Sequence, residues 1–322
     1  MAITSEATRL HPLLAERVAI AAALDDDSPL PPAFLEPAAP WTPPACVSIA
    51  RTTATAGARS VPVVTYDAHR GEGAPWLVWV HGGGFVGGSV DDGEAHAVCA
   101  ELAALTGVRA VSVDYRLVSP NLSFPAPLED VLTAWEWVVR QAGDARIMLG
   151  GTSAGANLAL AAALQLRDSA APPPDGLMLV YGLYHAELPA VIEGTEDAVS
   201  ALPRRLLHLA DDIERMNSQY AGHDPPWPSL VHPGDQPLTG LPPTRLVVAE
   251  VDSLNGSSER LARDLRAAGV PVTSHLAPGM LHGYLNWFPS PRLPEVVETI
   301  DFLAWAFAPA TPTRQPPAPT GA

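Results

Sequence analysis

The amino-acid sequence predicts a protein of the α/β class, with a parallel central sheet covered by helices on both faces. From residue 61 onwards, short apolar or β-branched runs alternate with segments of helical length. Strands and helices that alternate in this way form a parallel sheet, because the helices return the chain across its faces. A length of 322 residues, 47% of them hydrophobic, is enough for one large core or two modest domains.

Seven runs have the length and composition of strands, and the longer segments between them suit crossover helices. The strands are expected at residues 61–66, 76–80, 108–113, 146–150, 177–182, 244–251 and 270–276. The helices are expected at residues 92–106, 127–142, 154–167, 257–269 and 294–307, with an earlier helix at residues 8–24.

Three further segments lie outside this alternation. Residues 1–50 are expected to form an N-terminal cap helix and a proline-rich arm, since acids and prolines follow the helical segment. Residues 51–308 are expected to form the main domain. Within it, the connection at about 184–235 is too long for a loop and carries helical stretches, so we interpret it as a cap inserted above the sheet. Residues 309–322 are rich in proline and poor in large apolar side chains, which predicts a disordered tail.

Composition excludes several classes of function. The formal net charge of -16 predicts a negative surface that repels nucleic acids and anionic membranes and suits neutral or cationic small molecules. All 19 basic residues are arginine, so no lysine can form a Schiff base, anchor pyridoxal phosphate or serve a phosphate-binding loop. No run approaches the roughly 18 apolar residues of a membrane span, and the start lacks a signal segment, so a cytoplasmic location is expected. Cys46 and Cys99 lack CxxC spacing, which argues against a disulfide framework or a zinc cluster.

The junction between a predicted strand and the following helix carries the sequence Gly151-Thr152-Ser153-Ala154-Gly155, which fits the pattern GxSxG. The two glycines allow a tight turn that exposes the serine hydroxyl at the carboxyl end of the strand. The amide of Ala154 then faces the same space. Ser153 is therefore the candidate nucleophile.

A glycine-rich segment, HGGGF at residues 81–85, follows directly after the strand at residues 76–80. Consecutive glycines leave backbone amides uncovered, so that they can approach a developing negative charge on oxygen. Gly83 and Gly84, together with Ala154, are the candidate oxyanion-hole donors. The alternative is an ordinary flexible turn, since glycine runs commonly end strands.

A serine hydroxyl needs a base, and the base needs an acid that fixes its tautomer. Asp252 follows the strand at residues 244–251, and His282 follows the last strand, which gives the chain order Ser, Asp, His expected with GxSxG. Glu250 competes with Asp252 but lies inside the strand, and His81 competes with His282 but is better placed to brace the glycine turn. A helix-capping role for Asp252 and a surface position for His282 stay open as alternatives.

Taken together, residues 75–307 resemble the hormone-sensitive-lipase-like family of α/β-hydrolases. Beyond HGGGF and GTSAG, the resemblance is carried by DYRL at residues 114–117, FPAPLEDV at 124–131, LPPTRLVVAEVDSL at 241–254, and AGVPV followed by GMLHGY. It implies the α/β-hydrolase fold, with a mostly parallel central sheet and a helical cap built from the N-terminal arm and the insertion. It also implies that Ser153 attacks an ester carbonyl, that His282 shuttles the proton, and that the amides of Gly83 and Gly84 bind the oxyanion.

The resemblance predicts a carboxylesterase-type serine hydrolase that works through an acyl-enzyme intermediate and needs no cofactor and no metal. Its partner is a small-molecule ester, and the family includes both monomers and homodimers. Phe85, Tyr284 and Trp287 flank the candidate loops and are expected to wall a small apolar pocket, which suggests short acyl chains.

Three other functions stay open. A lactone, carbamate or amide hydrolase would use the same triad. A non-catalytic receptor on the same fold, as in plant gibberellin receptors, typically lacks the catalytic histidine, whereas this chain has His282; an interaction protein would need a large exposed apolar patch. The chain departs from the family pattern at two places: it has Thr152 where relatives usually have an acid, and NGSS at residues 255–258 in place of a charged run. Both departures bear on rate and substrate preference.

Overall fold

The computed structural model describes residues 10–24, 30–31, 34, 40–71 and 73–307. Within them, eight strands form one sheet in the order β1-β2-β4-β3-β5-β6-β7-β8. The strands are β1 Ser48–Ala56, β2 Arg59–Asp67, β3 Trp76–Val80, β4 Arg109–Val113, β5 Ile147–Thr152, β6 Gly176–Val180, β7 Thr244–Val251 and β8 Val272–Leu281. The expected tail at 309–322 lies outside the described residues, as do residues 25–29, 32–33 and 35–39 of the expected proline-rich arm.

The sheet is mostly parallel, as the sequence predicts. Strands β1 and β2 pair antiparallel, as do β2 and β4, whereas the pairs from β4 and β3 through to β7 and β8 are parallel. Every residue of β3, β5 and β6 is buried. Central parallel strands are covered on both faces, which explains why they read as unbroken apolar runs.

Strand β1 is missing from the strands that the sequence predicts. Its residues, SIARTTATA, contain no apolar run, and of its side chains only Ala54 and Ala56 are buried. It lies at one edge of the sheet and pairs with β2 from Ser48 opposite Asp67 to Ala56 opposite Arg59. An edge strand that faces solvent needs no apolar pattern, so its sequence carries a weak signal.

The helices lie close to the expected positions. Helix α1 Pro12–Ala22 lies in the N-terminal segment. The longer helices after it are α2 Gly93–Thr106, α3 Ala126–Ala142, α4 Ala154–Arg167, α7 Asn255–Ala267 and α8 Pro294–Ala304, and the short α5 Glu196–Ser200 and α6 Ala210–Ala221 lie between β6 and β7. One apolar cluster contains side chains of α3, α4 and α7, among them Trp135 and Leu160. A second contains side chains of α1, α2 and α8, among them Leu14 and Leu102. Helices therefore cover both faces of the sheet, as expected.

The long connection between β6 and β7 lies over the carboxyl ends of the strands. Two contacts hold α6 there: the Tyr220 ring stacks on Phe85 at a centroid distance of 4.0 Å, and the Phe124 amide donates to the Tyr220 carbonyl at 2.7 Å. We call residues 181–243 the cap segment. Its role as a lid stays a prediction.

Among the described residues, no helix combines the length and the apolar character needed to cross a lipid bilayer.

Candidate active site

Ser153 alone forms the turn between β5 and α4. Its backbone has φ 50° and ψ -119°, a conformation that residues with side chains rarely adopt. Glycine is needed on either side, because a Cβ atom at Gly151 or Gly155 would collide with the carbonyl of Val80 in β3. The turn is therefore packed tightly against the central strand, and it presents Ser153 to a cavity.

Three side chains from separate parts of the chain form one hydrogen-bonded chain. His282 follows β8, and its Nε2 lies 2.9 Å from the Ser153 Oγ, while its Nδ1 lies 2.8 Å from Oδ2 of Asp252, which follows β7. With the ring proton on Nδ1 donated to the carboxylate, Nε2 accepts the serine proton. Oδ1 of Asp252 accepts the Leu254 amide at 2.9 Å, which fixes the carboxylate. The structure thus brings together the three residues expected from the sequence.

The two rival residues have other partners. Oε2 of Glu250 accepts the Gly279 amide at 2.8 Å, so this carboxylate supports the backbone of β8. Nδ1 of His81 donates to the Gly82 carbonyl at 2.7 Å, and its ring stacks on Tyr115 at 4.3 Å. His81 therefore braces the glycine turn, the position that the sequence favoured for it.

The electrostatic surroundings favour the protonated form of His282. Burial works to lower the pKa of His282, but the charge and hydrogen bond of Asp252, with the charge of Glu94, outweigh it and raise that pKa above its usual value. Asp252 and Glu94 therefore stabilise the imidazolium that forms when His282 takes the proton of Ser153.

Glu94, in the first turn of α2, is a buried acid that was not among the residues predicted from the sequence. It is only 4% exposed, and its carboxylate accepts the Gly82 amide at 2.9 Å and the Tyr181 hydroxyl at 2.8 Å. Burial raises the pKa of Glu94, and the Tyr181 hydrogen bond and the charge of His282 oppose that rise. No motif marks this acid, so only the fold shows that it lies beneath the candidate oxyanion turn.

The expected oxyanion donors surround the nucleophile. Gly83, Gly84 and Ala154 line the same cavity as Ser153. Gly83 and Gly84 have φ of 110° and 60°, and a Cβ atom at Gly83 would collide with the Gly87 carbonyl, so that position requires glycine. Within the described residues, the three amides donate to no acceptor, which leaves them available to a negatively charged oxygen.

His208, in the cap segment just before α6, lines the same cavity as Ser153. Its amide donates to the Ser253 Oγ at 2.8 Å, and its ring centroid lies 4.8 Å from that of His282. Burial, and next the charge of His282, lower the pKa of His208 to about 4, so the ring is neutral at neutral pH. The sequence gives no signal for His208, because its partners are distant along the chain.

The cavity at Ser153 has a volume of about 410 Å³. Its apolar lining includes Phe85, Leu183, Met216 and Leu254, and its polar lining includes Asp92, Glu94, His208, His282 and Asn286. A larger cleft of about 880 Å³ lies between α6 and residues 118–123, but it contains none of the three hydrogen-bonded residues and no candidate oxyanion donor. The smaller cavity is therefore the candidate substrate pocket.

Of the three expected pocket aromatics, only Phe85 lines this cavity. Tyr284 is fully buried and bonds to Thr299 at 2.5 Å, and Trp287 is 1% exposed and donates to the Phe34 carbonyl at 2.8 Å. Both lie in the apolar cluster beside α2 and α8, so their expected place in the pocket wall is corrected. Residues 10–24 do not line the cavity either, since α1 packs into the same cluster.

Residues 255–258, where the sequence departs from the family pattern, connect the cap segment to the main domain. Oδ1 of Asn255 accepts the Ile192 amide at 2.9 Å, and its Nδ2 donates to the Thr195 hydroxyl at 3.0 Å. The Ser257 Oγ accepts the Tyr184 amide at 3.0 Å. Short polar side chains at these positions thus fix both ends of the loop before α5. The Thr152 hydroxyl, in contrast, is buried and has no hydrogen-bond partner among the described residues.

Comparison with known proteins agrees with this geometry. A family model described as the alpha/beta hydrolase fold matches residues 77–286. The chain is 35% identical to Esterase LipI of Mycobacterium tuberculosis over 66% of this chain and 67% of that protein, and 33% identical to Carboxylesterase NlhH of the same organism over 74% and 75%. Among solved structures, a hyperthermophilic esterase from the archaeon Pyrobaculum calidifontis has a TM-score of 0.70 and 30% identity, over 81% of this chain and 85% of that one. The chain therefore belongs to the α/β-hydrolase fold family, and its resemblance to the hormone-sensitive-lipase-like carboxylesterases of that family is confirmed.

Proposed function

We propose that the protein is a serine carboxylic ester hydrolase in which Ser153 is the nucleophile, His282 the general base and Asp252 the orienting acid. The observation that carries the proposal is the continuous hydrogen-bonded chain from the Ser153 Oγ through both nitrogens of His282 to Asp252. Its relatives named as esterase and carboxylesterase support the same reaction class.

The reaction has two steps. The Ser153 Oγ attacks the ester carbonyl carbon while its proton passes to Nε2 of His282, and the negative charge that forms on the carbonyl oxygen is bound by the amides of Gly83, Gly84 and Ala154. The leaving alcohol takes the proton from His282, which produces the acyl-enzyme. Water then loses a proton to His282 and attacks the acyl carbon, so that the carboxylic acid leaves and Ser153 regains its proton.

The cavity supports short acyl chains as substrates. A volume of about 410 Å³ lies toward the small end of ligand pockets, and part of it must hold the alcohol portion of the ester. Phe85, stacked on Tyr220, closes one side with rigid apolar surface. Small apolar acyl groups therefore fit this space, and long ones need the cap segment to move.

The test measures hydrolysis of p-nitrophenyl esters of increasing acyl length, with a chelator present, by the wild type, Ser153→Ala and the control Ser169→Ala. Ser169 is exposed and lies two residues beyond the end of α4, so its loss should leave turnover unchanged. We expect wild-type turnover to be greatest with short esters and to fall by about 10⁶-fold in Ser153→Ala. Full activity in Ser153→Ala would remove the serine from its proposed role.

A lactone, carbamate or amide hydrolase would use the same residues, so the same variants should be assayed on those substrates if esters are not turned over. The receptor alternative predicts ligand binding without turnover. The presence of His282 in hydrogen-bond reach of Ser153 argues against it. The oligomeric state and the cytoplasmic location stay predictions.

A further inference from the structure

A second histidine lies beside the proposed general base, where the two-step mechanism has no use for it. His208 packs its ring against His282 at a centroid distance of 4.8 Å and an interplanar angle of 63°. Its Nδ1 is buried and has no hydrogen-bond partner among the residues that the structure describes. A buried polar atom without a partner needs an explanation, and a bound ion or water is one of the explanations open to it.

The surroundings of His208 have the composition of a metal site. One ring nitrogen of His208, one ring nitrogen of His282 and one carboxylate oxygen of Asp252 all lie within 4.8 Å of one another. Two imidazoles and a carboxylate are ligands that zinc prefers, and they leave a fourth position for water. His208 and His282 both line the cavity at Ser153, from which an ion and its water can reach them.

We propose that His208, His282 and Asp252 bind a divalent cation of the zinc class, and that the bound cation reversibly inhibits the enzyme. The inhibitory part rests on the proposed function of Ser153 and His282. A cation bound here differs from a catalytic zinc ion, because it occupies His282, the base on which Ser153 depends.

The chemistry of inhibition follows from the two nitrogens of His282. Coordination through Nε2 uses the lone pair that would accept the Ser153 proton. Coordination through Nδ1 displaces the ring proton to Nε2, with the same consequence, and breaks the hydrogen bond to Asp252. In both cases the ligand is the neutral imidazole, which keeps one proton, so a protonated His282 first releases its second proton to water; no oxidant or reductant is needed.

The spacing requires a modest adjustment. Tetrahedral zinc with ligand distances of about 2.0–2.1 Å places its ligand atoms roughly 3.3 Å apart. The present spacing of up to 4.8 Å therefore closes by rotation of the histidine side chains. His208 belongs to the cap segment, whereas the other two ligands follow sheet strands, so the cation would also join the cap segment to the main domain.

The test follows p-nitrophenyl acetate hydrolysis against free zinc set by a metal buffer, for the wild type, His208→Gln and the exposed cap-segment control His223→Gln. Each rate is normalised to the zinc-free rate of the same variant. We expect inhibition of the wild type and of His223→Gln that a chelator reverses, and at least about tenfold more zinc for half-inhibition of His208→Gln. Magnesium, which prefers oxygen ligands, should not inhibit.

Calorimetric titration of zinc into Ser153→Ala, with and without His208→Gln, provides a readout that does not depend on turnover. Loss of the binding isotherm with His208→Gln supports the site. Equal zinc affinity in the two proteins, or equal inhibition curves for the wild type and His208→Gln, overturns it. If the zinc-free wild type hydrolyses no ester, the proposed function fails, and the titration still decides whether the three residues bind the cation.

Discussion

Replacement of Asp252 by asparagine tests whether this carboxylate is the orienting acid. Its Oδ2 lies 2.8 Å from Nδ1 of His282, and the side chain is 1% exposed. Asparagine keeps the size and the acceptor oxygen but removes the charge. It can also present its amide group to Nδ1, which favours the ring tautomer that cannot accept the Ser153 proton.

The expected loss follows from the distance. Two unit charges 2.8 Å apart interact by about 6 kcal/mol at an effective dielectric constant of about 20. The His282 ring gains its positive charge when it takes the Ser153 proton, so Asp252→Asn loses this attraction mainly in the transition state. Since about 1.4 kcal/mol corresponds to a factor of ten in rate, kcat should fall by about four orders of magnitude.

The assay is steady-state hydrolysis of p-nitrophenyl acetate by the wild type, Asp252→Asn and Glu250→Gln, with thermal midpoints to show that each variant is folded. Glu250→Gln is the matched control, because it removes a neighbouring buried charge but keeps an oxygen to accept the Gly279 amide. We expect it to lower kcat by less than about tenfold. If Asp252→Asn keeps more than about a tenth of wild-type kcat, or loses less than Glu250→Gln, the assignment of Asp252 is wrong.

Three further predictions follow from the same geometry. Glu94→Gln removes a charge that helps to raise the pKa of His282, so the acidic limb of the kcat/KM profile should move to lower pH, and an unmoved limb would contradict that coupling. Gly155→Ala places a methyl group against the Val80 carbonyl and should lower the free energy of unfolding, measured by urea denaturation, by about 3 kcal/mol. An unchanged urea midpoint would show that the turn relaxes around the methyl group. The pKa of His208 is about 4 in the folded protein and about 6.5 in the unfolded chain. Its contribution to stability is therefore present above pH 6.5 and is lost as the pH falls toward 4. Over that pH range, the thermal midpoint of His208→Gln should fall less than that of the wild type.

The sequence predicted the elements whose pattern is local. Strands such as β3, with every residue buried, and helices such as α4 carry their own composition and end signals, so their positions agree with the structure to within a few residues. The order of Ser153, Asp252 and His282 could likewise be inferred, because each follows a predicted strand. Strand β1 was missed because exposed edge strands need no apolar run.

The pocket was predicted less well. Sequence proximity placed Tyr284 and Trp287 beside the loop that carries His282, but both side chains, at and just after the 3₁₀ turn Tyr284–Asn286, lie in the core. Met216 and His208 line the cavity from the cap segment, and Glu94 from α2. The walls of a pocket come from segments far apart in the chain, and no periodicity records which side chains meet there.

The sequence by itself determined the α/β class, the family and the three residues that form the hydrogen-bonded chain, because strand-to-helix turns and glycine-rich turns fix backbone geometry over a few residues. Only the tertiary structure decided that Glu94 lies beneath the glycine turn, that His208 packs on His282, and that Asn255 and Ser257 hold the cap segment. These contacts join residues that are at least 12 positions apart in the chain, and most of them more than 60. They form because folding buries one surface against another, and a linear pattern does not specify which partner each buried polar group finds.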